Sequence, residues 1–253
     1  MATTSARADS RIPGATRPRP LSGLAGAPLA AWTWVLLAAG TAGGLVFTGA
    51  YLAEGATRPG YAALTEPISA LSLGPGGWVQ RLSFTVFGAA MIASAVGWRT
   101  VLRGGPGRAA YPLLRVIAGL GLMLDGLFSQ DPVPGYPPGT RAVAATLHGQ
   151  IHNVGAMVTI TALAVSCFVL ARRLAAEPAW RAWAAYAAAT GVATIVFIAA
   201  FGATGGHGGL GGLFERLAGG VNTLLAVAVL SRMAINAARA RQGTPRTPAG
   251  PGS

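Results

Sequence analysis

Six stretches of this chain, near residues 30–52, 79–102, 110–129, 142–171, 180–202 and 211–237, are long and almost entirely apolar. A helix rises about 1.5 Å per residue, so roughly 20 apolar residues carry it across the hydrocarbon of a bilayer. Runs of this length, six times over in 253 residues, exceed what a soluble core would bury. Charged residues make up only 10% of the chain, which leaves few positions able to hold such segments in water. The predicted fold class is therefore all-α: a polytopic membrane protein, a six-transmembrane-helix bundle over residues 29–238. Residues 1–28 and 239–253 are rich in Pro, Gly and Arg and read as disordered cytoplasmic tails.

The net charge of +12 raises the question of a nucleic-acid partner, and its distribution answers it. With the N-terminus placed in the cytoplasm, the inner segments hold fifteen of the nineteen basic residues, all of them arginine: Arg7, Arg11, Arg17, Arg19, Arg99, Arg103, Arg108, Arg115, Arg172, Arg173, Arg181, Arg232, Arg239, Arg241 and Arg246. The outer segments hold Arg58, Arg81, Arg141 and Arg216 against Glu54, Glu66, Asp125, Asp131 and Glu215. An arginine excess on one side orients a membrane protein, so the charge is a topology signal, with the lipid bilayer as partner and no nucleic acid. Both termini are expected in the cytoplasm and the chain in the cell membrane. Cys167 is alone, so no intrachain disulfide or CxxC site is available.

Polar residues inside the spans mark where function could sit, because lipid offers them no hydrogen bonds. They fall on stripes at helical spacing: Arg81, Thr85 and Gly88 in the second span, and Ala118, Gly121 and Asp125 in the third. The fourth carries Arg141, Ala145, His148, His152, Gly155 and Thr159, and the sixth carries Glu215, Gly219, Asn222 and Ala226. Each stripe is polar at its outer end and small further in, as an inward-facing helix surface is. The first outer loop contains Thr65 to Leu73, with Pro67 in a first turn and Gly74-Pro75 as a stop. A short helix over 64–73 is expected, its face of Leu64, Ile68 and Leu71 lying on or dipping into the outer membrane surface. The glycine-rich stretch 202–212 lacks the preceding strand and the Lys-Ser/Thr of a phosphate loop, and reads as an outer turn.

Four segments carry a family resemblance. They are Ser69 to Gly74 leading to Gly77-Trp78-Val79-Gln80-Arg81, then Gly126-Leu127-Phe128-Ser129-Gln130-Asp131-Pro132, then His148-Gly149-Gln150-Ile151-His152, and finally Gly212-Leu213-Phe214-Glu215-Arg216-Leu217. In this order, over roughly residues 30–237, the chain resembles an uncharacterised prokaryotic membrane family, domain of unknown function 998. The resemblance implies a multi-pass helical protein and brings no activity or catalytic residue with it.

Three uses are open for the polar groups. The first is a metal site: His148 and His152 at i, i+4 share a helical face, His207, Asp125 or Asp131 could add a ligand, and zinc is the metal such a set suits. Ser69 or Asp125, or else Glu66, would then serve a hydrolytic site for a lipid-like substrate. That arrangement faintly resembles the membrane group of alkaline ceramidases and adiponectin-receptor-like proteins, but the His pair is in the fourth of six spans and the third histidine is in a glycine loop. The second use is structural or small-molecule and lipid binding, in a pocket formed by Arg81, Asp125, Asp131, His148, His152, Glu215, Arg216 and Asn222. Here Asp125 and Glu215 are expected to pair with Arg81 and Arg216. The third is transport of a small molecule or proton along an acid–histidine chain.

The orientation is directly testable. Reporter fusions at residue 135 and after residue 253 are expected to score outside and inside, respectively; the reverse pattern would invert every placement above.

Overall fold

The computed structural model describes residues 24, 26, 28–141 and 144–242. The predicted tails 1–28 and 239–253 lie mostly outside these residues. Among the described residues there is no strand, and six helices dominate: α1 (Ala31–Thr57), α2 (Gly77–Val101), α3 (Ala110–Leu127), α4 (Leu147–Ala175), α5 (Arg181–Ala203) and α6 (Gly211–Gln242). All six are long and apolar enough to cross a membrane. Large apolar side chains such as Val35, Val46, Leu82, Leu120 and Leu224 point outward from them, as lipid contact requires. Two boundaries move from expectation. α4 begins at Leu147 rather than 142, because Thr146 caps it by accepting from the Gly149 N–H at 3.1 Å. α6 continues through Gln242, so residues 239–242 are helix rather than tail.

Each helix packs on its neighbours in sequence, and α6 returns to α1, which closes the bundle into a ring. One end is sealed by a cluster that includes Leu24, Trp98, Trp180 and Met233. The Trp180 indole N–H donates to the Leu24 carbonyl at 2.9 Å, and the Asn236 amide donates to the same carbonyl at 3.2 Å. The start of the bundle, the α4–α5 connection and the end of α6 therefore meet on one side. Segments 58–76, 128–141 and 204–210 gather on the other, where the Gly208 N–H donates to the Thr65 carbonyl and Pro138 lies against Gly60.

The expected helix over 64–73 is shorter and deeper than the sequence suggested. It is a single 3₁₀ turn, Ile68–Ser72. Leu64 is 56% exposed, while Ile68, Ala70 and Leu71 are buried against α1, α2 and α6. Three contacts draw it inward: Glu215 accepts from the Ile68 N–H at 2.5 Å, the Tyr61 hydroxyl donates to the Pro67 carbonyl at 2.9 Å, and Arg216 donates to the Glu66 carbonyl at 3.1 Å. The turn lies across one end of the ring as a plug, not along a surface.

Small residues set how closely α2, α3 and α4 approach. A Cβ at Gly88 would stand 2.5 Å from the Gly119 carbonyl oxygen, and one at Gly119 would stand 2.6 Å from that of Gly88. The obstructing atoms are backbone, so neither helix can yield without separating. Gly49 of α1, by contrast, has nothing within 4 Å of its Cβ position. Gly88→Ala is therefore expected to cost about 1–3 kcal/mol, the usual range for overpacking. Gly49→Ala is expected to be neutral or to stabilise by up to about 1 kcal/mol, through helix propensity. Unfolding in mixed micelles measures both; equal effects at the two positions would contradict the close α2–α3 contact.

Candidate functional site

The ring surrounds a partly open cavity of about 340 Å³ to which every helix contributes. Its walls are mostly apolar, supplied by side chains such as Phe47, Phe87, Leu122, Ile160, Leu163 and Phe201. Into this space project Asp125 from α3 and the whole α6 stripe of Glu215, Gly219, Asn222 and Ala226. The stripe reaches the cavity because its spacing keeps it on one face of a helix that packs between α5 and α1.

Asp125 is 3% exposed, and its seat is cut by glycine: a Cβ at Gly155 of α4 would lie 2.5 Å from Asp125 Oδ1. That oxygen has no hydrogen-bond partner. It stands 3.8 Å from His152 Nδ1, an ion-pair distance but too long for a hydrogen bond. His152 Nδ1 instead lies 2.9 Å from the Phe128 carbonyl oxygen. A carbonyl can only accept, so the ring carries its proton on Nδ1 and ties α4 to the end of α3. Thr159 adds a second tie, donating to the Ala118 carbonyl at 3.2 Å. Across the cavity, Glu215 holds the 3₁₀ turn and is near enough to Asp125 for the two carboxylates to interact electrostatically. Asn222 donates to Thr194 Oγ1 at 2.8 Å and accepts from Cys167 Sγ at 3.3 Å, fixing its amide between α4 and α5.

Several expected members of the pocket lie elsewhere. His148 and His152 share a face in sequence, yet only His152 is buried. His148 belongs to the first turn of α4, is exposed, and meets Phe128 edge-on with ring centres 5.1 Å apart. Among the described residues no three His, Cys, Asp or Glu side chains are grouped to hold a metal, so His148, His152 and His207 do not form one site. Ser69 is buried outside the cavity wall, its hydroxyl donating to Gln130 Oε1. Asp131 is a brace for α4: its carboxylate accepts from the Thr146 N–H at 3.0 Å and the Thr146 hydroxyl at 2.5 Å. Glu66 accepts from the Ala62 N–H at 2.9 Å, and partial burial pushes its carboxyl above the usual range.

The expected ion pairs are replaced by bonds to backbone. Arg81 donates to the Gly126 and Leu127 carbonyls at 3.1 and 3.3 Å, at the C-terminal end of α3 where carbonyls are left free. Arg216 donates to the Glu66 and Gly212 carbonyls and, at 2.5 Å, to the Tyr61 hydroxyl. Neither pairs with Asp125 or Glu215; the ion pairs among the described residues are Arg58–Glu54, His152–Asp125 and Arg173–Glu177. Arg141 is exposed.

One cavity residue escaped the polar stripes read from the sequence. Arg115, counted with the cytoplasmic arginines, sits in the second turn of α3, is 9% exposed, and lines the cavity. Its Nη2 donates to Ser94 Oγ at 3.3 Å, while its Nε has no partner. The signal was available: Arg115, Ala118, Leu122 and Asp125 recur at i, i+3, i+7 and i+10, a single helical stripe, and all four are buried.

A ring of six apolar helices around a cavity with a few polar groups defines a multi-pass membrane protein. Residues 41–232, well over half of the chain, match the model of a family described as Protein of unknown function (DUF998), and the chain belongs to that family. No curated protein and no solved structure matches it.

Proposed function

We propose that this protein binds one small, largely apolar molecule within the ring, reached from the surrounding lipid. The observation that carries this reading is the cavity itself. Its volume of about 340 Å³ falls in the range of ligand sites, roughly 300–1,000 Å³, and such sites combine apolar walls with a few placed polar groups. Asp125, Glu215 and Asn222 supply those groups. Entry between α1 and α6 fits the geometry: this is the sparsest seam of the ring, and Gly219 and Gly220, within a turn of the Thr223 that meets Gly44, have nothing within 4 Å of their Cβ positions. Catalysis by Ser69 or Asp125 with zinc on the His pair has no comparable support, since Ser69 and His148 lie off the cavity wall.

The same proposal includes an orientation. Both ends of the chain would face the cytoplasm from the cell membrane, supported by fourteen of the nineteen arginines on that side once Arg115 is moved into the third span. The plug, Glu215 and Asp125 would then occupy the outer half of the bilayer.

Gly219 offers a clean test, because a side chain there would enter the cavity without striking backbone. The full chain in lipid nanodiscs is expected to bind the uncharged fluorescent probe cis-parinaryl alcohol saturably, above the level of empty nanodiscs. Gly219→Phe is expected to weaken that binding roughly tenfold or more, about 1.4 kcal/mol, with its unfolding unchanged. Absent binding, or binding indifferent to Gly219→Phe, would defeat the proposal.

A further inference from the structure

Resting on the cavity-binding reading, we infer that the ligand is an elongated amphiphile with an anionic group, and that Arg115 holds that group. A guanidinium remains charged at any physiological pH, and an unpaired charge at membrane depth is costly unless something compensates it. Arg115 has no compensation from protein. None of the carboxylates among the described residues pairs with it, and its only hydrogen bond is the long one to the neutral Ser94 hydroxyl. An arginine near a helix end commonly extends its head to the interface water, but this one is 91% covered and faces the cavity. Its Nε–H is left without an acceptor. A second, much smaller space of about 20 Å³, bounded by Tyr111, Ser166 and Cys167, shares Arg115 and Asn222 as walls with the main cavity. The missing partner is therefore an anion that the cavity itself must admit.

The opposite end of the cavity fixes the ligand's direction. Asp125 lies ten residues along α3 from Arg115, which is about 15 Å at helical rise. Asp125 and Glu215 offer no positive charge to a negative group there, and the unpartnered Asp125 Oδ1 can hydrogen-bond a hydroxyl or amine. Leu122, Phe87 and Leu163 line the cavity as an apolar wall. A molecule with one carboxylate or phosphate at the Arg115 end, an apolar body, and an uncharged or hydrogen-bond-donating far end matches all three regions. A free inorganic anion would match only the first.

Paired probes in nanodiscs separate these possibilities: cis-parinaric acid and cis-parinaryl alcohol share a chain and differ in the head. At alkaline pH, where the acid is ionised, the wild-type chain is expected to bind the acid roughly tenfold more tightly, the usual scale of one charge-assisted hydrogen-bonded contact. Arg115→Gln is expected to remove that preference, bringing the affinities of the two probes to within about twofold of each other, and Arg115→Lys to retain part of it. Equal wild-type affinities for the two probes would overturn the role of Arg115 and leave cavity binding standing. A preference that survives Arg115→Gln would overturn it as well. Displacement of the acid by inorganic phosphate would show a site for free anions and sink the amphiphile. Failure of both probes to bind the wild type would remove the cavity reading together with this inference. The wild-type comparison decides the matter even if Arg115→Gln does not fold.

Discussion

Hydrocarbon gives a polar group no water to fall back on, so each polar side chain within the spans must find a partner on another element or face an enclosed space. Most of this bundle's polar contacts follow from that rule. His152 reaches the Phe128 carbonyl, Thr159 the Ala118 carbonyl, and Arg81 the last carbonyls of α3. Asn222 bridges Cys167 and Thr194, and Glu215 takes the first N–H of the 3₁₀ turn. Each such bond is worth only about 1 kcal/mol on average. Their arrangement matters more than their sum, because they join α3 to α4, α4 and α5 to α6, and the plug to α6.

Close backbone approach makes those short contacts possible. Glycine at 88 and 119 lets α2 meet α3, and glycine at 121 and 155 lets α3 meet α4. On the far side of the ring the helices stand further apart, and the space between them becomes the cavity. Two polar atoms there escape the general satisfaction: Asp125 Oδ1 and Arg115 Nε. A charge at the centre of a span costs about 2.5–3.5 kcal/mol on insertion scales. Arg115 and Asp125 lie nearer the ends of α3, where the cost is smaller, and polar groups left facing one shared space are where a ligand has something to bind.

The six spans were legible because length and apolarity alone decide them, and the α6 stripe because a 3.6-residue period puts Glu215, Gly219, Asn222 and Ala226 on one face. Asp125 and His152 were brought together as their stripes implied, at 3.8 Å. What the residues concealed was the identity of partners. Opposite charges suggested Arg81 with Asp125 and Arg216 with Glu215, but backbone carbonyls, invisible in a list of side chains, took both arginines. His148 shared a face with His152, yet one turn at the rim of the bundle separates a buried ring from an exposed one. Arg115 was assigned to a loop-side cluster because it lies five residues from the start of its span, where charge usually means interface rather than cavity.

The cavity depends on α6 closing against α1, since without that contact the six helices form an open arc. The contact point is specific: a Cβ at Gly44 would lie 3.3 Å from Thr223 Oγ1. With Cys167→Ser removing the native thiol, the double variant Gly44→Cys/Thr223→Cys should form an intramolecular disulfide under mild oxidation in native membranes, seen as a faster-migrating monomer that reduction reverses. Thiols that stay free, or that join only between separate chains, would contradict the closed ring.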